Sequence, residues 1–313
     1  MRILIILNAK AGTIVAAAEK DQATIIRERF ATHNIDAEVR DVPGDQLAAV
    51  TREARDSGRF DLIIGGGGDG TLNTIAGALV GGPVPFGVLP LGTFNHLAKE
   101  LQIPLELEAA VDALAKGRDV PFNVGEVNGQ VFLLFAAIGL YGDMVKHRDA
   151  QRKTLGRRKM FAGAIALAKM LFRWPLMRLR FSNVEPASVR VATSRMTSVV
   201  YVSLSEYQMK ALGLKDVPAD ARGALNVLVL RHVNRRGLIW QAIKGLFGRL
   251  TPGRDLELSR VDVIELQPGG KHNVRVGYDG EVQSMNAPLK CRLIRAALRM
   301  RVPASDSNRR PSP

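Results

Sequence analysis

Four consecutive glycines, Gly65-Gly66-Gly67-Gly68, run into Asp69-Gly70-Thr71 between the apolar triplet Leu62-Ile63-Ile64 and a helical stretch. Each glycine in a regular element costs roughly 0.5–1 kcal/mol relative to alanine. An ordinary turn needs only one or two of them. A longer run fits a backbone that must approach a ligand closely and turn its amides inward, at a helix N-terminus that favours bound phosphate. No Gly-Lys-Ser/Thr follows, so this is not a Walker loop, and the spacing is not the dinucleotide fingerprint.

The surrounding pattern says what sheet carries the loop. Ile3 to Leu7 is a short apolar strand ending in the turn-like Asn8-Ala9-Lys10-Ala11-Gly12. A helix follows to about Phe30, then a short strand near Ala37 to Val39 and a helix through Arg55, with Asp45 as its expected cap and Ser57-Gly58 as its stop. Val88-Leu89 forms another strand, followed by helices from Asn95 to Leu101 and from Leu105 to Ala115. Strand, loop and helix repeated in this way imply a parallel sheet with helices on both faces.

After Pro121 strands succeed one another: Phe122 to Val127, Val131 to Ala137, Arg178 to Phe181, Val189 to Ala192, Ser198 to Ser203 and Leu225 to Leu230. Val261 to Leu266, Asn273 to Val276, Glu281 to Gln283 and Leu289 to Leu298 complete the series. Asn128-Gly129 is a hairpin turn signal, and helical insertions fall near residues 156–172 and 236–250. The expected domains are 1–121 (α/β) and 122–302 (β-rich, its last strands returning to the first domain), with a disordered tail from 303.

Composition narrows the setting. A single cysteine, Cys291, excludes an internal disulfide and a multi-cysteine metal site and suits a reducing cytosol. Neither a secretory leader nor an apolar run of the roughly 20 residues a membrane span needs is evident. The net charge is +14, and residues 146–180 hold eleven Lys or Arg against one acid, Asp149, so ten of those charges are local. Such a patch suits anionic lipid headgroups or nucleic acid. Few aromatics interleave with it, which disfavours a single-strand stacking platform. Arg157-Arg158-Lys159 leads into the apolar stretch Met160 to Trp174, the pattern of an interfacial helix lying on an anionic membrane or of a helix packed over the second domain.

Two more segments carry polar groups at strand ends. In Pro90-Leu91-Gly92-Thr93-Phe94-Asn95-His96, Thr93 and Asn95 can bind phosphate or cap the next helix; Asp279-Gly280-Glu281 alone is a turn. In order along the chain, however, the motifs resemble the diacylglycerol kinase catalytic family, whose fold is shared with NAD kinases and which includes sphingosine and ceramide kinases. The resemblance rests on the Asn8-to-Gly12 loop, Gly66 to Thr71 with Leu72-Asn73, and Gly92-Thr93-Phe94-Asn95-His96-Leu97-Ala98-Lys99. It continues through Val124-Gly125-Glu126-Val127-Asn128-Gly129, Gly139-Leu140-Tyr141, Asp279-Gly280-Glu281 and Pro288-Leu289, spanning about residues 1–302.

The resemblance implies a Rossmann-like α/β domain followed by a mainly antiparallel β-sandwich-like domain, with the active site in the cleft between them. It implies ATP held by Asn8, Gly66, Gly67, Gly68, Asp69, Gly70, Thr71 and Thr93, and Mg²⁺ organised by Asp69 through water or phosphate oxygens. Asp69 and Glu281 are then the catalytic pair, Glu281 as general base toward a lipid hydroxyl. The expected partners are a lipid substrate and an anionic membrane surface, with no nucleic acid, on a cytoplasmic, peripherally associated protein; a homodimer is one expectation for assembly. A soluble NAD kinase-like enzyme and a catalytically weak lipid-binding regulator stand as alternatives. The chain departs from the family at Asn123, where an aspartate is usual, and at Arg222, where acidic residues tied to a structural metal are common.

Overall fold

A computed structural model describes residues 1–9, 22–139, 177–185, 194–197, 199–212, 214, 217–218, 220–231, 244, 255–269 and 272–304. The expected insertion at 156–172, the strand at 189–192, and most of the 236–250 insertion and of the tail lie outside these residues. The chain forms two compact units. One holds Met1–Val124 together with the residues from Arg295 onward, the other Gly125–Ile294.

In the first unit, β1 (Arg2–Asn8), β2 (Asp36–Val42), β3 (Leu62–Gly67) and β4 (Phe86–Pro90) pair in the order β2-β1-β3-β4, all parallel. Ile3 to Leu7 and Leu62 to Ile64 are buried throughout, as expected of parallel strands covered on both faces. Burying each such side chain contributes about 1.5–3 kcal/mol as an upper bound. The covering helices are α1 (Gln22–Ala31), α2 (Leu47–Asp56), α3 (Asp69–Leu79), α4 (His96–Glu100) and α5 (Leu107–Ala115). The C-terminal end of the long strand β16 (Leu289–Val302) runs parallel beside β4 at Met300↔Phe86. Arg301 fastens that end by donating to the Leu114 carbonyl at 3.0 Å and to Asp119 at 3.1 Å.

Helix starts differ from the sequence reading in detail. Gln46, not Asp45, occupies the N-cap of α2, and no side chain caps it, because a Pro43–Gln46 turn leaves Asp45 exposed. At α5 the Glu106 carboxylate accepts from the Glu108 and Ala109 amides. Ser57 and Gly58 end α2 as expected, with Gly58 at φ +64°.

In the second unit, one antiparallel sheet has the order β12-β11-β10-β7-β14-β15: Leu256–Val261, Leu225–Leu230, Val199–Ser203, Phe135–Gly139, Asn273–Tyr278 and Glu281–Asn286. A second layer contains β13 (Val263–Pro268), β8 (Met177–Glu185), β9 (Ser194–Thr197) and the first half of β16. Phe181, Ile264, Leu266 and Leu289 from this layer pack in one core with Ile138, Val200, Val227 and Val276 from the other, a β-sandwich. A short helix, α6 (Glu206–Ala211), begins at Ser205, whose hydroxyl accepts from the Gln208 amide. The chain passes between the units within β5 (Arg118–Val127) and within β16. Asn128 (φ +46°) and Gly129 (φ +86°) form the turn from β5 to β6 (Gln130–Phe132), as the Asn-Gly pair predicts.

Candidate active site

The glycine run ends β3 and begins α3, with Gly68 as the helix N-cap in extended conformation and no side chain closing the cap. The first amides of α3 are thus available to an anion. A Cβ on Gly68 would meet no atom within 4 Å, so its face is open. Gly66 is different: a Cβ there would run into the Leu7 and Leu91 side chains. The glycines therefore serve two ends, one packing β3 between its neighbours and one leaving a surface uncovered.

The loop after β4 packs against this run backbone to backbone. A Cβ on Gly92 would stand 2.6 Å from the Gly68 Cα. Asn95 holds the second loop closed: its Oδ1 accepts from the Gly92 amide at 2.9 Å and its Nδ2 donates to the Pro90 carbonyl at 3.1 Å. Asn95 sits at φ +52°, where an asparagine is tolerated, and its side chain does not cap α4. That capping task falls to Asp69, whose Oδ1 accepts from the Leu97 amide at 3.2 Å. The sequence left Thr93 and Asn95 open between capping this helix and binding phosphate; the structure gives the cap to Asp69, 28 positions before the Leu97 amide it accepts from.

Asn8, at the end of β1, donates from Nδ2 to the Thr71 hydroxyl at 2.9 Å. Asn8, Gly66 to Thr71, and the Gly92–Asn95 loop carrying exposed Thr93 therefore converge at the C-terminal ends of β1, β3 and β4. Ligands of open α/β sheets bind at this edge. Phe94 stacks on His96, ring centroids 5.4 Å apart.

Glu281 belongs to the second unit. It is exposed, the first residue of β15, paired with Tyr278 across a two-residue turn. Asp279 (φ +44°) and Gly280 (φ +94°) form that turn with the left-handed dihedrals an Asp-Gly hairpin favours. Asp279, to which no role fell in the sequence, is 3% exposed, and its carboxylate accepts from the amides of Leu133, Leu134 and Phe135. Arg222 donates to the Leu133 carbonyl at 2.8 Å. These contacts divide the expected strand Val131–Ala137 into β6 and β7, with Leu133-Leu134 as a gripped link. The Asp-Gly pair signalled the turn; nothing local signalled a partner some 145 residues away.

Asn123 is also occupied: its Oδ1 accepts from the Ala296 amide at 2.8 Å. Ala296 interrupts β16 at φ +48°, a dihedral that costs a non-glycine residue energy unless neighbours hold it. Among the described residues no group of three or more His, Cys, Asp or Glu side chains is placed to hold a metal ion. Asp69 places a carboxylate at the glycine loop. That donor set fits a Mg²⁺ that arrives with nucleotide phosphates and keeps most of its waters, rather than an all-protein metal cage.

A parallel α/β unit with a glycine loop on the C-terminal edge of its sheet offers a place for an anionic ligand such as a phosphate. Residues 2–127 match the family model of the diacylglycerol kinase catalytic domain. Over 118 residues the chain is 37% identical to a Klebsiella pneumoniae (strain 342) protein named "Probable lipid kinase YegS-like", covering 34% of this chain and 40% of that one. A Yersinia pestis (strain Pestoides F) protein of the same name is 40% identical over 87 residues, 26% of this chain and 29% of its own length. The matched stretches thus span less than half of these curated relatives. A solved diacylglycerol kinase of Bacillus anthracis str. Sterne shares the fold over 97% of both chains, with a TM-score of 0.66 at 20% identity. A second solved chain of that organism gives 0.71 at 22% identity over 97% of both. Through residues 2–127 the chain is similar to the diacylglycerol kinase catalytic domain.

Proposed function

We propose that this protein is an ATP-dependent lipid kinase that phosphorylates the hydroxyl of diacylglycerol or a related lipid at a membrane surface. The observation that carries this reading is the open Gly68 face at the uncapped start of α3, with Asn8–Thr71 on one side and the Gly92 loop on the other. The α3 amides and Gly66 to Gly70 hold the phosphates, and Thr71 and Thr93 offer hydroxyls to them. Mg²⁺, when bound with the nucleotide, neutralises charge on the phosphate oxygens. Asp69, fixed by the bond it accepts from the Leu97 amide, is the residue that would hold such a metal through its waters. Glu281, exposed and therefore reachable, accepts the proton of the lipid hydroxyl.

The test is transfer of labelled γ-phosphate from ATP to a panel of lipids in mixed micelles with Mg²⁺, alongside Asp69→Ala and Glu281→Gln. A labelled lipid that vanishes with both variants supports the reading; full turnover by Glu281→Gln removes that residue from the base role. A second reading, a lipid-binding regulator on the same fold, is favoured by one feature. The usual aspartate is an asparagine at 123, already engaged by Ala296, so it brings no charge to Asp69. Lipid and nucleotide binding without any labelled product would establish it.

A further inference from the structure

Three consecutive backbone amides, Leu133, Leu134 and Phe135, converge on the one carboxylate of Asp279. The carbonyls of the same segment are held as firmly. Arg222 donates to that of Leu133 at 2.8 Å, and the Leu204 amide to that of Leu134 at 2.8 Å. The Asp279 amide donates to the Phe135 carbonyl at 3.2 Å. Successive amides turned toward one point form a concave anion-binding nest. Here the anion is supplied by the protein itself.

This arrangement separates the two carboxylates of Asp279-Gly280-Glu281 by task. Asp279 is buried, with its oxygens committed to amides, so a substrate hydroxyl cannot reach it. Glu281 is exposed and begins the strand on the far side of the turn. The turn has two left-handed residues and would be mobile if its first residue were released. Its two carboxylates also share a neighbour. Burial first, then the charges of Glu281 and Asp279, raises the Tyr278 phenol above its ordinary range, and Tyr278 donates to Gln283 at 3.0 Å.

We propose that Asp279 is a positioning residue: by occupying the Leu133–Phe135 nest it locks the hairpin turn that presents Glu281. The proposal rests on the reading of Glu281 as the base. Asp279 takes no part in proton transfer; it fixes where the neighbouring carboxylate stands.

The experiment compares Asp279→Asn, Gly280→Ala, Glu281→Gln and the Asp279→Asn/Glu281→Gln double variant in the micelle assay, with amide hydrogen exchange on the full chain. Asp279→Asn is expected to lower kcat by about 10²-fold, as displacement of a reacting group by an ångström does, with the KM for ATP within about twofold. In the Glu281→Gln background it is expected to cost nothing further, since it acts only through Glu281. Gly280→Ala strains the turn without a clash, no atom lying within 4 Å of the added Cβ. It should lower kcat while leaving the amides of 133–135 protected. Asp279→Asn should speed exchange at 133–135 and at 280–282 together, by about tenfold or more. Full turnover by Asp279→Asn while Glu281→Gln is inactive overturns the proposal and leaves the base assignment standing. A further loss in the double variant overturns it too, because the effect would then be one on the fold. If Glu281→Gln turns over normally, the base reading fails, and exchange alone decides whether Asp279 locks the turn; unchanged protection in Asp279→Asn overturns it.

Discussion

Single residues in this protein carry tasks that their neighbours in sequence do not reveal. Asp69 is both a carboxylate at the glycine loop and the acceptor for the Leu97 amide. The two tasks are separable by substitution. Asp69→Asn keeps an acceptor for Leu97 and removes the charge, so it should retain thermal stability to within about 2 °C, the shift expected from under 1 kcal/mol in a chain of this size. In the micelle assay it should lose at least about 10²-fold in turnover; retained turnover would mean the loop geometry alone suffices. Asn123 poses the converse question. Asn123→Ala strands the Ala296 amide at a left-handed position and should cost about 1–3 kcal/mol of stability in denaturant unfolding. Asn123→Asp keeps the acceptor and should unfold at nearly the wild-type midpoint. Cys291 takes no part in such chemistry: burial pushes its thiol up to about 12, beyond the range in which a thiolate forms readily.

At the scale of elements, the site is built by two loops that touch through glycine. Gly92→Ala would place a Cβ 2.6 Å from the Gly68 Cα, and neither backbone can yield without moving the glycine loop. Nucleotide affinity by calorimetry should fall about tenfold or more, a cost of 1.4 kcal/mol, while Gly68→Ala, with open space around it, should leave the fold intact. The helices behind the sheet are tied by charge. Asp112 on α5 accepts from Arg29 and His33 on and beside α1, with His33 Nε2 at 2.8 Å. The hydrogen bond from Arg29, then that from His33, holds the Asp112 carboxyl well below its ordinary value of 3.8. A carboxylate depressed in the folded state contributes stability that is present above that ordinary value and is lost as the pH falls through the folded one. The melting temperature should therefore drop as the pH falls below about 3.8, and Asp112→Asn should melt lower at neutral pH with a flatter acid limb.

For the whole molecule, the question is how a chain whose described helices are none of them long and apolar enough to cross a membrane would reach a lipid substrate. The sequence offers residues 146–180, with ten of the fourteen net positive charges. If this segment docks the protein on anionic lipid, neutralising Arg157, Arg158 and Lys159 should weaken pelleting with phosphatidylglycerol vesicles by about 10²-fold, at roughly 1 kcal/mol per charge. It should leave binding to neutral vesicles and ATP unchanged. Equal pelleting of wild type and variant on anionic vesicles would assign the charge to another partner.

The amino-acid sequence by itself determined the parallel α/β unit, the glycine loop at a strand end and the two Asx-Gly hairpin turns. Each of these is written in residues that lie next to one another, where apolar runs set strands and glycine permits φ above zero. The motif order along the chain likewise pointed to the diacylglycerol kinase catalytic domain, which residues 2–127 match. Only the tertiary structure decided that Asp69 rather than Asn95 caps α4, that Asn123 accepts from the left-handed Ala296 of β16, and that Asp279 splits one expected strand into β6 and β7. In each of these a short polar side chain satisfies backbone amides 28, 173 or about 145 residues away. Periodicity and propensity report on neighbours along the chain, whereas a buried donor is satisfied by whatever acceptor folding brings beside it.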